Sequence, residues 1–92
     1  MGRAVIERLA PSCSPEDELR AAGLRPSPWS AGAGAVFARH RHPRPKRLFV
    51  VDGSIDFDGV ALSTGEGIRI PAGLEHSALA GDAGVRCVEA FE

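Results

Sequence analysis

The stretch SIDFDGVAL, residues 54–62, carries the strongest local signal in the chain. Two short β-prone runs flank Asp58 and Gly59. That pair tolerates the positive φ angles that a two-residue type I′ hairpin turn demands. Working outward, the same alternation recurs on both sides. AVFARHRH (35–42) alternates into a strand, and RLFVVDG (47–53) is β-rich and ends in Asp52-Gly53, which reads as a tight turn. Downstream, STGEG (63–67) reads as a turn and GIRIPAG (67–73) as a short strand closed by Pro71 and Gly73. HSALA (76–80) and GVRCVEAF (84–91) complete the series. Seven or eight short strands separated by turns predict an all-β sandwich or barrel.

The first third of the chain differs. RAVIERL (3–9) alternates weakly, as an edge strand does. SPEDELRAAG (14–23) predicts one short helix: Ser14 suits the N-cap, Pro15 the first helical position, Glu16 and Asp17 the first turn, and Gly23 the stop. LRPSPWSAGAGA (24–35) is rich in Pro, Gly and Ser and reads as a loop holding the only tryptophan, Trp29, a core plug or a pocket wall. The expected organisation is one domain over 1–92, with residues 1–33 giving strand, helix and loop and residues 34–91 the β-barrel core.

At 92 residues the chain suits a single small domain, which buries only about 60–65% of its unfolded surface. With 43% hydrophobic and 25% charged residues the composition is that of an ordinary globular protein. The formal net charge of −1 argues against a general polyanion binder. Cys13 and Cys87 are far apart and form no CxxC pair, so they read as free thiols in a reducing, cytoplasmic setting. No window approaches the roughly 18 apolar residues of a membrane span. The expected partner is therefore a small molecule, with no nucleic acid and no membrane. A homodimer would cover apolar surface and protect sheet edges.

The run ARHRHPRPKR (38–47) holds five of the eleven basic residues and two of the three histidines. On a strand, side chains at i and i+2 share a face, so His40 and His42 point together while Arg39 and Arg41 point away. Alternation thus divides the basic cluster between two surfaces. An isolated HxH pair is ordinarily two solvent-facing residues. Two imidazoles on one face can also bind a transition metal, with His76 as the candidate third ligand.

Both histidine segments resemble motifs of the cupin superfamily. HRH, three residues, Lys46, six residues and Gly53 is similar to the first cupin motif, HxH, three or four residues, Glu, six residues and Gly. Gly65, five residues, Pro71, one residue, Gly73, two residues and His76 is similar to the second. The resemblance spans residues 34–91 and implies a double-stranded β-helix, or jelly-roll barrel, with one short N-terminal helix. It implies that His40, His42 and His76 converge in the barrel on a divalent transition metal, with Zn, Fe, Mn, Ni and Cu all compatible.

Lys46 stands where the motif has its glutamate, and no Asp or Glu lies between Glu18 and Asp52 to replace it. Ala80 stands where the second motif ends in Asn. Three arrangements remain open: a buried, uncharged Lys46 beside a metal; a three-histidine site with Lys46 as a pocket cation for a small anionic substrate; or a pocket without metal. Cys87 shares a strand face with Val85 and Glu89. It reads as a core thiol, and if that face meets the cavity, Cys87 lines it and Glu89 pairs with Lys46. The expectation is a metal-dependent isomerase, lyase or dioxygenase with Lys46 taking part in catalysis; the alternative is a non-catalytic ligand-binding or sensor cupin.

Overall fold

The structure, a computed structural model, describes residues 5–92. The described elements are β1 (Glu7–Leu9), α1 (Pro15–Ala21), β2 (Ser27–Ala31), β3 (Val36–His40), β4 (Lys46–Phe57), β5 (Val60–Ser63), β6 (Gly67–Ile70) and β7 (His76–Phe91). The start of the weakly alternating RAVIERL segment lies outside the described residues. All strand pairs are antiparallel. They run in the order β1-β6-β4-β7-β2, with β3 added on β7 and β5 on β4. Among the described residues, no helix is long and apolar enough to cross a membrane.

Two long strands organise the fold. The first half of β4 pairs with β6 and with the end of β7, while its second half pairs with β5 and with the start of β7. In the same way β7 pairs with β3 through its first residues and with β2 through its last. The expected turn at Asp52-Gly53 is therefore not a turn, and HSALA and GVRCVEAF are not separate strands. Gly53 lies inside β4 at φ +84, between two register shifts against β7. A Cβ there would collide with the carbonyl oxygen of Gly84, itself at φ +78. Glycine relieves both constraints at once, so the strands bend and continue instead of reversing.

The segment around Trp29, expected as a loop, is strand β2, with Trp29 opposite Cys87. Its Pro28 is compatible with pairing because β2 is an edge strand, where one side of the ladder needs no N–H. The Asp58-Gly59 hairpin is as expected: Asp58 at φ 48 and Gly59 at φ 90 join β4 to β5.

Strand alternation sorts the core into two layers. Leu48, Val50, Ile55, Phe57, Ile68, Ile70, Val85 and Cys87 fill the inside of the barrel. Phe49, Val88 and Ala90 face the other way and pack on Leu19 of α1, which is fully buried. The helix starts as its caps predict: the Ser14 hydroxyl accepts from the Asp17 N–H at 3.4 Å. It ends at Gly23, φ +78, where the Leu24 N–H returns to the Leu19 carbonyl. The helix thus closes one sheet face and leaves the barrel interior to the site.

Candidate metal centre

His40 ends β3 and His76 begins β7, and the two are direct cross-strand partners. His42 does not belong to the strand. It lies two residues beyond β3, in a segment pinned by the Gly73 N–H donating to the His42 carbonyl at 2.8 Å. Simple strand alternation is thus not what aligns the HxH pair; a register shift between Phe37 and His40 and the pinned segment do so. The three rings stand 4.4, 4.7 and 4.9 Å apart, centroid to centroid. One ring nitrogen from each lies within 4.8 Å of the others.

Hydrogen bonding selects which nitrogens are free. The His76 Nδ1 meets the Leu74 carbonyl at 2.9 Å and the His40 Nδ1 meets the Ala38 carbonyl at 2.6 Å. A carbonyl only accepts, so each Nδ1 carries the proton and each Nε2 keeps its lone pair. The Nε2 of His76 is buried without a partner, and so is the Nδ1 of His42. His76 is only 1% exposed. Burial, reinforced by Lys46 and the other two imidazoles, pushes His42 down to about 4, against a weaker opposing pull from Glu89. Burial also lowers His76. Both rings are therefore neutral at pH 7, the form that donates to a metal. Neutral nitrogens, tautomers held by backbone carbonyls and two unpartnered buried atoms fit a divalent transition ion.

Beside the cluster opens a cavity of about 410 Å³, walled by Trp29, Phe37, Lys46 and Glu89 together with His40 and His76. Lys46 and Glu89 form an ion pair at 3.2 Å, with side chains only 12% and 18% exposed. The Trp29 Nε1 also donates to the Glu89 Oε1, at 2.7 Å. Trp29 packs edge-on to Phe37, and Phe91 packs against His42 while lying 5.4 Å from the Lys46 ammonium. Cys87 does not line this cavity. It is 2% exposed in the barrel core, and burial pushes its thiol up to about 12, so it is neither a wall nor a nucleophile.

Three more residues of the basic run, Arg39, Arg44 and Arg47, are tied to acids or carbonyls. Arg39 reaches Asp58 at 3.2 Å, Arg44 the Glu92 carbonyl at 2.8 Å, and Arg47 the Glu92 carboxylate at 2.8 Å, which Arg69 shares. Asp58 also accepts from the Ser77 N–H and hydroxyl, next to His76. This brace between the β4–β5 hairpin and the start of β7 had no sequence signal, because Asp58 was already explained by its turn.

No family model matches the sequence, and no curated protein matches it. Solved structures do. An RmlC-like cupin from Shewanella frigidimarina superposes with a TM-score of 0.63 at 25% identity over 74% of this chain and 64% of that one. The chain has the cupin fold. KdgF from a Halomonas species gives a TM-score of 0.57 at 24% identity, over 95% of this chain and 79% of its own. A chain from the complex of Rhodobacter sphaeroides SigE with the anti-sigma ChrR gives 0.66 at 17% identity, over 76% of this chain but only 45% of that one. Against the first and third of these the chain spans under two thirds of the matched length. The cupin likeness extends over most of the chain and agrees with the barrel that the resemblance of the histidine segments to cupin motifs implies.

Proposed function

We propose that this cupin holds one divalent transition metal on His40, His42 and His76 and acts on a small, oxygen-rich molecule in the adjoining cavity. The observation that carries the reading is the pair of buried ring nitrogens, His42 Nδ1 and His76 Nε2, that have no hydrogen-bond partner inside a cluster of three imidazoles. Buried polar atoms are ordinarily satisfied, and an ion at this point would satisfy them. A bound metal would supply Lewis acidity there, which suits an isomerase or a lyase, whereas a dioxygenase would need a redox-active ion such as Fe. The residues of the chain supply the remainder. Leu74 and Ala38 hold two imidazoles in the ligating tautomer. Trp29, Phe37 and Phe57 give the cavity apolar walls that limit water. Lys46 and Glu89 offer a donor and an acceptor to ligand hydroxyls, and the metal end attracts an anionic oxygen.

A sensor module that holds metal without turnover is the second reading, favoured by the structural likeness to a chain of the SigE–ChrR complex. Both readings need the metal. Titration of tag-free protein with Co(II) tests it through the ligand-field bands of the bound ion. The expected result is saturation near one ion per chain and a changed spectrum when a small carboxylate such as oxalate is added. No ligand-field bands, or bands unaltered in His76→Ala, would overturn the proposal.

A further inference from the structure

Lys46 places a positive charge in the wall of a cavity that His40 and His76 of the candidate cation site also line. An ammonium so near should repel a divalent ion, since like charges in a water-poor cavity interact strongly. Phe91 is a neighbour common to Lys46 and His42: its ring lies 5.4 Å from the Lys46 ammonium and 5.4 Å, centroid to centroid, from His42. Yet the ammonium does not stand alone. Glu89, from the far end of β7, meets it at 3.2 Å. Trp29 fixes the same carboxylate oxygen from β2 at 2.7 Å, so Glu89 is held by two donors from two different strands.

We infer that Glu89, locked by Trp29, is the charge-compensating residue of this cavity: it neutralises Lys46 and so allows a divalent cation to bind at the three histidines. The inference rests on the metal reading proposed above and adds a residue that touches none of the ligands. It also sets the ligand chemistry at this end of the cavity. Because Lys46 is already matched, the Lys46–Glu89 wall is electrically neutral. It offers Lys46 protons and a second Glu89 oxygen, a pattern that fits a hydroxyl group better than a carboxylate. The anionic end of a ligand then belongs at the histidines.

A double-mutant cycle read by Zn²⁺ affinity tests this. Full-length wild type, Glu89→Gln, Lys46→Met and the double variant are titrated at pH 7.5 against a chromophoric chelator, with circular dichroism as the check on folding. Gln still accepts from the Trp29 N–H, so the cavity shape is kept. Glu89→Gln is expected to weaken Zn²⁺ binding by about tenfold or more. Lys46→Met, which leaves an unmatched carboxylate, is expected to tighten it. The double variant is expected to return to within about threefold of wild type, which a merely structural role for Glu89 would not produce. Equal affinity in wild type and Glu89→Gln, or a double variant as weak as Glu89→Gln, would overturn the inference while leaving the metal site standing. Should Glu89→Gln fail to fold, a Lys46→Met variant no tighter than wild type overturns it instead. A wild type that takes up no Zn²⁺ would remove both proposals.

Discussion

At His76 the backbone settles the chemistry before any ligand arrives. The Leu74 carbonyl accepts a hydrogen bond from the protonated Nδ1, and the ring is buried with Nε2 bare. Replacing His76 or His40 by Ala is therefore expected to lower metal affinity by at least about a hundredfold, measured by chelator competition, because each removes one of the three proposed ligands. The same burial makes a pH prediction. His42 titrates near 4 in the folded chain against an ordinary 6.5, so the unfolded chain takes up the proton first as pH falls. Its contribution to stability is full above pH 6.5 and is lost as pH drops toward 4. Glu92, held down to about 2 by hydrogen bonds from Arg69 and Arg47, acts with the same sign between about 4.5 and 2. Thermal melts of metal-free protein should fall through both windows, and His42→Gln should make the first fall shallower, leaving the share of His76, without changing the second. A melting temperature constant from pH 7 to 4 would contradict the burial of His42.

The strands show where local sequence suffices and where it does not. Asp58-Gly59 was legible because a two-residue hairpin is decided by its own φ angles. Asp52-Gly53 carries a similar dipeptide but lies within β4, because the alternative to a turn, a bend against Gly84 of β7, is decided 31 residues away. Gly53→Ala is accordingly expected to cost about 2–4 kcal/mol in urea denaturation, combining a positive φ with a collision against backbone. A loss under about 1 kcal/mol would argue against the bend. β2 was hidden for the opposite reason: Pro, Gly and Ser lower local strand propensity, and pairing with β7 outweighs it. Trp29 consequently reaches the cavity from a strand that the sequence disguises. Glu89 was within reach of alternation, since it shares a face with Val85 and Cys87, but only the barrel's closure puts that face opposite Lys46.

Across the whole molecule, β4 and β7 pair along their lengths with most of the other strands, so the site, which holds Lys46 of β4 and His76 and Glu89 of β7, is coupled to the stability of everything else. His40 and His76 come from adjacent strands and His42 from the pinned segment. The histidine set was legible because motif spacing survives in linear sequence; the cavity walls were legible only in part, Trp29 and the Lys46–Glu89 pair standing as alternatives that closure of the sheet decides. A ligand that binds only the folded barrel stabilises it by about 2.7 kcal/mol at a hundred times its dissociation constant. For a chain of this size that raises the melting temperature by about 10 °C or more. Zn²⁺ should produce this rise and a chelator should reverse it, whereas His40→Ala should show neither. The most direct test is metal content per chain in protein purified without a histidine tag, after exposure to Zn, Ni, Mn or Fe(II) and removal of excess ion. The expected result is close to one ion per wild-type chain and close to none in His40→Ala and His76→Ala. A wild type that retains none of these ions, or variants that retain as much as wild type, would contradict a three-histidine metal centre.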